Sequence, residues 1–393
     1  MGLPEQLLMV LNRENYTEPT PIQLQTIPIA LKQQDVLGSA QTGTGKTLAF
    51  VVPVITRILD DANVSALILT PTRELAQQVI SVVKKLLGKK STIKSVLLIG
   101  GEPFFKQSDQ LKAKPKIIVG TPGRIIDHLS RRTLSPNFNF LVLDETDRMF
   151  DMGFGIQLET IINQLPEKRQ TLMFSATFPA KVEKLASKYL IKPTRIFLNS
   201  KVVPLEKLKE ETIMVKEVDK YKKLLLQLKE RDGTVIIFVK TKFGAERLSG
   251  NLKKDNYSVS AMHGDLKQSM RVRVMNDFRN GLYKIMVATD IAARGLDVPH
   301  IQHVINYDLP SCPEDYIHRV GRTARAGAGG CAVNLITNQD QSKWDAIQRF
   351  IFPEKSSSDF QHKYKNKRKY RFEDQHRKPK KFGSFSRKTA KKA

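Results

Sequence analysis

The sequence of 393 residues predicts an α/β protein with two tandem domains, each a mainly parallel sheet flanked by helices, and a disordered basic C-terminal tail. Short apolar runs alternate with helix-period segments over residues 1–199, a pattern typical of a parallel sheet with helices on both faces. The alternation stops over the charged, proline-containing linker 200–212 and restarts over residues 213–352. It ends in the tail, residues 353–393, where lysine and arginine dominate.

The predicted strands are the apolar runs that a turn signal follows. Either half of the chain is long enough to bury a core of its own. In the first domain we predict strands at residues 35–37, 66–69, 95–99, 116–119 and 140–143. In the second domain we predict them at residues 234–239, 257–260, 284–287, 303–305 and 331–336.

The formal net charge of +26 favours a polyanionic partner, either a nucleic acid or an anionic membrane surface. A generally basic protein is the alternative. Cys312 and Cys331 form no CxxC pair and no zinc-type cluster, so we expect a reducing compartment and a cytoplasmic protein. The apolar stretch 7–11 is too short to span a bilayer and lacks the flanks of a signal peptide, so we expect no membrane partner.

Residues 40–47 read Ala-Gln-Thr-Gly-Thr-Gly-Lys-Thr, after a predicted strand and at the start of a predicted helix. This is the context of a phosphate-binding P-loop, here with Ala in place of the first Gly. The glycines let backbone N–H groups approach phosphate oxygens, and Lys46 can reach the β- and γ-phosphates. A glycine-rich turn of chance composition is the alternative. The predicted nucleotide-binding residues of this loop are Gln41, Thr42, Gly43, Thr44, Gly45, Lys46 and Thr47.

A second sequence element, which is acidic, strengthens the prediction of a nucleotide site. The apolar run 140–143 leads directly into Asp144 and Glu145. Two carboxylates at the end of a buried strand suit a metal-bound nucleotide, in which Asp144 and Thr47 hold Mg²⁺ and Glu145 deprotonates the attacking water. A pair of exposed turn acids is the alternative. The predicted cofactors are therefore ATP and Mg²⁺.

Transfer of a phosphoryl group to water spreads negative charge over that group, so several cations must converge on it. His318, Arg322 and Arg325 lie on one face if their segment is helical, and the two arginines can act as arginine fingers. A solvated basic helix is the alternative. An ATPase with fingers on another domain is active only when the domains close. The predicted catalytic residues are Lys46, Asp144, Glu145, His318, Arg322 and Arg325.

The order and wording of these motifs resemble the DEAD-box ATP-dependent RNA helicases of superfamily 2, over roughly residues 10–340. Residues 15–23 are similar to the Q motif, which implies that Gln23 reads the adenine edge and Tyr16 stacks on the ring. Residues 147–154 are most similar to the bacterial RhlE-like subgroup. Further resemblances are motif Ia at 71–76, the GG motif at 100–101, motif Ib at 121–124, motif III at 175–177, motif IV at 237–241, QxxR at 268–271 and motif V at 288–297.

The resemblance also implies roles for individual residues. The RNA contacts that it implies are Arg73, Gly101, Thr121, Arg124, Gln268, Arg271 and Thr289. It implies a ribose contact for Asp297. It implies that coupling between the ATP and RNA sites runs through Asp147, Ser175, Thr177 and His318.

The implied mechanism is closure of two RecA-like domains over ATP and one RNA strand, with local separation of short duplexes. The resemblance implies a monomer whose RNA contacts are largely independent of sequence. The resemblance does not identify the biological process, which can be ribosome assembly, mRNA decay or cold adaptation. A DNA helicase of the same superfamily and an RNA clamp or annealing chaperone with a vestigial ATPase are the alternatives.

Three departures from the family pattern stand out. Thr146 replaces the Ala of motif II, which is residues 144–147 here, and we favour a tolerated swap over an altered coupling. Ala324 replaces a Gly in motif VI, the segment 318–327 that contains His318, Arg322 and Arg325, and we predict a helical conformation there. The aromatic residue that the family places upstream of the Q motif would precede Met1, which leaves truncation or a misassigned start as interpretations.

The tail carries much of the excess charge. Residues 354–393 contain 15 Lys and Arg against 4 Asp and Glu, a net +11. Such charges can neutralise phosphates, and aromatic rings among them can stack on bases. A solubilising tail or a localisation signal is the alternative. The interleaved aromatic residues are Phe360, Tyr364, Tyr370, Phe372, Phe382 and Phe385.

Overall fold

A computed structural model describes residues 2–39, 44–88, 91–198, 208–293, 301–323 and 329–352. It contains two sheets in which every strand pair is parallel, of seven and six strands. The predicted fold class is therefore confirmed. Within the described ranges, no helix has the length and apolar character needed to cross a bilayer.

The first sheet has the strand order β3-β4-β2-β5-β6-β1-β7. Its strands are β1 Val36–Ser39, β2 Ala66–Leu69, β3 Ser95–Leu98, β4 Ile117–Gly120, β5 Phe140–Leu143, β6 Gln170–Ser175 and β7 Thr194–Phe197. The helices around it are α1 Glu5–Arg13, α2 Pro21–Leu31, α3 Lys46–Asp60, α4 Arg73–Leu87, α5 Phe104–Lys112, α6 Pro122–Ser130, α7 Thr146–Asp151, α8 Gly155–Ile162 and α9 Ala180–Tyr189.

The second sheet has the order β10-β11-β9-β12-β13-β8. Its strands are β8 Leu208–Met214, β9 Val235–Phe238, β10 Val259–Met262, β11 Ile285–Ala288, β12 His303–Asn306 and β13 Gly330–Ile336. Its α-helices are α10 Lys220–Lys229, α11 Lys242–Lys254, α12 Gln268–Arg279, α13 Asp290–Ala293, α14 Pro313–Val320 and α15 Gln341–Ile351. Two short 3₁₀ helices are Glu217–Asp219 and Asn338–Asp340.

Strands of a sheet covered on both faces bury successive side chains in opposite directions, so they appear in the sequence as continuous apolar runs. In β2, Ala66 and Ile68 join the apolar cluster on one face of the first sheet. Leu67 and Leu69 join the cluster on the other face. The sheet therefore lies between two helical layers.

The linker predicted at residues 200–212 ends earlier than expected, because a strand begins at Leu208. Residues 208–212 belong to β8, which pairs with β13 along its whole length. The strand lies at the sheet edge and carries Lys209, Glu210 and Glu211, so its charged composition resembles that of a linker. Residues 199–207 and the predicted tail, 353–393, lie outside the described residues.

Candidate nucleotide site and the contact between the domains

The topology sorts the predicted motifs into two groups. The carboxyl ends of parallel strands meet at one edge of a sheet, where open α/β folds bind ligands. The neighbours β5, β6 and β1 lead into motif II, motif III and the P-loop. The neighbours β3, β4 and β2 lead into the GG motif, motif Ib and motif Ia. The nucleotide motifs therefore lie side by side, and so do the motifs assigned to RNA.

The P-loop is held by the Q motif. Gly45 has φ +88° and precedes Lys46, the first residue of α3. The Gln23 side chain donates from Nε2 to the Gly45 carbonyl (3.0 Å) and accepts at Oε1 from the Thr20 backbone N–H (3.0 Å). A Cβ added to Gly45 would lie 2.4 Å from Gln23 Nε2, so only glycine fits this contact. Gln23 thus supports the loop, and its adenine contact stays a prediction.

Tyr16 is 38% exposed, with Lys85 Nζ 5.9 Å from its ring centroid. Its predicted stacking on adenine is compatible with this exposure and also stays a prediction. The P-loop residues Gln41, Thr42 and Gly43 lie outside the described residues.

Two charged groups at the P-loop are buried without hydrogen-bond partners among the described residues: Lys46 Nζ and Asp144 Oδ1. Burial raises the pKa of Asp144 to about 6, against the opposing charge of Lys46. Buried charges are costly unless something compensates them. An ATP phosphate at Lys46 and Mg²⁺ at Asp144 would supply that compensation, and Thr47 follows Lys46 at the start of α3. These residues therefore fit the predicted nucleotide and metal.

Glu145 has a left-handed backbone, φ 53° and ψ 53°, at the start of α7. Such a conformation is uncommon for a non-glycine residue and often marks a functional site. The buried Arg148 donates from Nη1 to Glu145 Oε2 at 2.8 Å. Burial by itself would raise the pKa of this carboxyl, but Arg148, Lys46 and Arg322 together hold it below its usual range. The Glu145 carboxyl is therefore held in its ionised form, and its role as the base stays a prediction. The sequence analysis missed Arg148, although its i,i+3 spacing from Glu145 was a usable signal.

Motif II is fastened to motif III by Asp147. Its carboxylate accepts from the backbone N–H of Ala176 (3.1 Å) and of Thr177 (2.8 Å), and from Thr177 Oγ1 (2.9 Å). Its backbone N–H donates to Ser175 Oγ at 3.2 Å. The structure thus brings together Asp147, Ser175 and Thr177, three of the four residues predicted to couple the sites.

Thr146 adds a further bond between these motifs. The side chain is fully buried, and its hydroxyl donates to the backbone carbonyl of Phe174 at 3.2 Å. Phe174 directly precedes Ser175 in β6. The hydroxyl therefore has a hydrogen-bond acceptor in the core, which supports the interpretation of a tolerated swap.

The second domain reaches the nucleotide motifs through Arg322. The helical segment that would place Arg322 on one face with His318 does not extend that far, because α14 ends at Val320 and Gly321 follows as its C-cap. The chain turns there, and Arg322 Nε donates to the His318 carbonyl at 3.2 Å. Arg322 is buried and close enough to Glu145 to lower the pKa of that carboxyl. Ala324, Arg325 and Asp297 lie outside the described residues.

The motifs assigned to RNA in the first domain also meet. Arg73, the first residue of α4, packs against the GG motif: a Cβ on Gly101, where φ is +83°, would lie 2.6 Å from Arg73 Nη1. Thr121 is the N-cap of α6. Arg124 Nη2 donates to the Glu102 carbonyl at 3.1 Å. Arg73, Gly101 and Arg124 thus lie around one loop, and their RNA contacts stay predictions.

Gln268 and Arg271, whose RNA contacts stay predictions, also contact the first domain. Gln268 Nε2 donates to Glu74 Oε1 at 3.1 Å, and Arg271 Nε lies 3.0 Å from the same oxygen. All three side chains are at least partly buried. Glu74 follows Arg73, so the domain contact adjoins the GG-motif cluster. Thr289 is half-buried after β11. Sequence reasoning missed Glu74, although it lies within motif Ia.

Comparison with known proteins points to one family. A DEAD/DEAH box helicase family model matches residues 20–185, and a helicase conserved C-terminal domain model matches residues 216–327. DEAD-box ATP-dependent RNA helicase CshA of Bacillus subtilis is 40% identical over 352 residues, which are 88% of this chain and 71% of that protein.

Solved structures share the fold. S. cerevisiae Dbp5 bound to RNA and ADP BeF3 has a TM-score of 0.80 at 34% identity, over 89% of this chain and 92% of that one. Mss116p bound to ssRNA and AMP-PNP has a TM-score of 0.76 at 31% identity, over 88% and 75%. The bacterial relatives are named CshA, which gives no support to the expected RhlE-like subgroup. The matched models, the identity to CshA and the shared fold show that this chain belongs to the DEAD-box ATP-dependent RNA helicases.

Proposed function

We propose that this ATP-dependent RNA helicase couples ATP binding and hydrolysis to closure of its two domains on single-stranded RNA, and thereby separates short duplexes or remodels RNA–protein complexes. One observation carries the proposal: the two domains are in direct contact, because Gln268 of the second donates to Glu74 of the first at 3.1 Å. Arg322, also of the second domain, is buried and contributes to the lowered pKa of Glu145 in the first. The nucleotide site is therefore shared, and a change in the distance between the domains assembles or disassembles it.

The chemistry at this site follows from the side chains. Lys46 and Arg322 can neutralise the charge that develops on the transferred phosphoryl group. Glu145, held ionised, can take the proton of the attacking water. We propose that Asp144 and Thr47 hold Mg²⁺, which neutralises phosphate charge when it is bound. His318, whose backbone carbonyl accepts a hydrogen bond from Arg322 Nε, is proposed to couple this site to RNA.

The RNA is proposed to lie along the other group of motifs and the facing part of the second domain. The proposed contacts are Arg73, Gly101, Thr121, Arg124, Gln268, Arg271 and Thr289. The Dbp5 and Mss116p structures that share this fold were solved with RNA bound, which supports the proposal. Contacts to phosphates and sugars would make binding largely independent of sequence, and contacts to 2′-hydroxyl groups would favour RNA over DNA.

The direct experiment measures ATP turnover with RNA and with single-stranded DNA of the same sequence. We expect RNA to stimulate turnover strongly and DNA weakly. Equal stimulation would indicate a DNA helicase or translocase of the same superfamily. RNA binding without stimulated turnover would indicate a clamp or an annealing chaperone.

We further propose that the tail, residues 353–393, adds phosphate contacts and base stacking, because 15 of its last forty residues are Lys or Arg and aromatic residues lie among them. A chain ending at residue 352 is expected to bind RNA more weakly, with a flatter salt dependence, and to keep most of its saturating kcat. An unchanged dependence of RNA binding on salt concentration would contradict this proposal.

We propose that the protein is a cytoplasmic monomer that acts in ribosome assembly or mRNA decay. Crosslinking of RNA to the protein in cells would identify its RNA targets and so test the proposed setting.

A further inference from the structure

A continuous polar row crosses the core of the second domain. We define the polar row as Glu210 in β8, Asn334 in β13 and Asn306 in β12, which are neighbouring strands. Asn334 Nδ2 donates to Glu210 Oε1 at 3.1 Å, and Asn306 Nδ2 donates to Asn334 Oδ1 at 2.8 Å. Both asparagines are fully buried, in strands where apolar side chains are the rule. Buried amides are tolerated only when they are hydrogen-bonded, and these two are bonded to each other.

Helix α14 is fastened to the polar row at two points, one helical turn apart. At one end, the hydroxyl of the buried Tyr316 donates to Glu210 Oε1 and accepts from Asn334 Nδ2 (3.0 Å). At the other end, the buried Arg319 donates from Nη1 to Asn306 Oδ1 (3.0 Å). Two anchors at i and i+3 fix both the rotation and the axial position of a helix.

Arg319 extends this anchoring to the other strands. Its Nε and Nη2 donate to the two carboxylate oxygens of Asp290 at 2.5 and 2.8 Å, and its guanidinium lies 4.8 Å from the Phe238 ring. Paired two-point bonds of this kind are strong and directional. The helix is therefore tied to β8, β13 and β12 through the polar row. Through Asp290, the first residue of α13, it is also tied to motif V.

The anchored helix α14 determines the position of Arg322. Helix α14 ends at Val320, and Arg322 then turns back so that its backbone N–H bonds to the Arg319 carbonyl and its side chain to the His318 carbonyl. The position of the Arg322 guanidinium is thus set by the last turn of α14. We propose that Tyr316, held by Glu210 and Asn334, is a positioning residue for Arg322 in ATP hydrolysis.

The inference rests on the proposed function, in which Arg322 neutralises charge at the phosphoryl group. A misplacement of about 1 Å can cost on the order of 100-fold in rate. Tyr316→Phe removes the hydroxyl and keeps the ring, which packs edge-on against Trp344 at 5.7 Å. We expect this variant to lower the RNA-stimulated kcat about tenfold, and to leave the ATP KM within about twofold of wild type because Lys46 and Gln23 are untouched.

A matched control lies in the same domain. Tyr221 also donates its hydroxyl to a carboxylate, Asp255, at 2.5 Å, but at the surface and away from α14. Tyr221→Phe is expected to leave kcat and KM unchanged. Glu210→Gln keeps an acceptor for Tyr316 and should retain most of the turnover, whereas Glu210→Ala should match Tyr316→Phe. Because Glu210 is half-buried, these variants test the inference even where Tyr316→Phe does not fold.

A double-mutant cycle separates positioning from general damage. If Tyr316 acts through Arg322, then Tyr316→Phe has little further effect in an Arg322→Ala background, measured by single-turnover hydrolysis of ATP. An equal loss in both backgrounds, or a loss of less than about twofold in the wild-type background, would overturn the inference. If Arg322→Ala alone leaves turnover intact, the proposed function itself fails, and the two failures are thereby distinguished.

Discussion

Glu74 and Gln268 join the two domains: the Gln268 amide nitrogen lies 3.1 Å from Glu74 Oε1, and Arg271 approaches the same oxygen at 3.0 Å. Glu74 is 8% exposed. Its neighbour in the chain, Arg73, packs against the GG motif. A contact that holds the domains together therefore adjoins residues proposed to bind RNA. This adjacency gives a physical route by which RNA could stabilise the closed arrangement.

Weakening that contact should make closure harder. In Glu74→Gln the charge that compensates Arg271 is lost, and a partly buried cation without its anion is costly. We expect the RNA concentration for half-maximal ATPase stimulation to rise about five- to tenfold, with kcat at saturating RNA little changed. Glu159→Gln, which removes a surface carboxylate paired with Lys188, is the matched control. If Glu74→Gln and Glu159→Gln need the same RNA concentration for half-maximal ATPase stimulation, the prediction is wrong.

Glu145→Gln tests the assignment of the base. Glutamine keeps the shape of the side chain and a hydrogen bond with Arg148 but cannot accept the proton of water. We expect turnover to fall by at least about 100-fold, while RNA dissociates more slowly in the presence of ATP because the closed form cannot hydrolyse it. Steady-state turnover and RNA dissociation are the measurements. A variant that turns over normally would exclude Glu145 as the base.

Thr146→Val tests the departure in motif II. Valine fills nearly the same volume but cannot donate to the Phe174 carbonyl. We expect the free energy of unfolding to fall by about 1 kcal/mol, with RNA-stimulated kcat and KM within about twofold of wild type. Urea unfolding and steady-state kinetics measure the two effects. A kinetic change well beyond this range would support the alternative, that Thr146 alters coupling between Asp147, Ser175 and His318.

His128 makes the stability of the first domain dependent on pH. The imidazole is fully buried, stacks on Phe104 with ring centroids 4.3 Å apart, and bonds to Thr133 Oγ1 at 2.8 Å. Burial, with a contribution from Arg124, lowers its pKa to about 4. In the unfolded chain it takes up a proton near pH ~6.5, so the unfolded state binds more protons between these values.

The free energy of unfolding should therefore fall as the pH drops through this window, by up to about 1.4 kcal/mol per pH unit, and level off above it. His128→Gln keeps polar contacts but cannot titrate. Urea unfolding over the pH range should show a smaller slope in the variant than in the wild type. Equal slopes would mean that other groups cause the dependence.

The fold was predictable where burial on both faces gives continuous apolar runs. The prediction at 140–143 coincides with β5, and that at 66–69 coincides with β2. Three strands were missed. β6 begins and ends with polar residues. β7 buries only one of its four residues, and β8 contains Lys209, Glu210 and Glu211. Strands with a charged composition are therefore hard to tell from loops in the sequence, as the predicted linker illustrates.

The site was predictable where a motif requires one residue type for its chemistry, as for Lys46 and Glu145. What the sequence could not reveal is how side chains from distant segments meet. Arg148 beside Glu145 is a local pair, but the pairing of Glu74 with Arg271 depends on how the domains approach each other. The end of α14 before Arg322 was also missed, because a glycine one residue earlier can either continue a helix or end it.

The central claim is that one ATP site is divided between the two domains. Arg322→Ala tests it most directly, through ATP affinity without RNA and RNA-stimulated turnover measured on the same protein. We expect turnover to fall by about 1,000-fold or more, while ATP affinity without RNA stays within about twofold of wild type, because Lys46 and Gln23 remain. Turnover at the wild-type rate, or an ATP affinity that falls in step with turnover, would contradict the account.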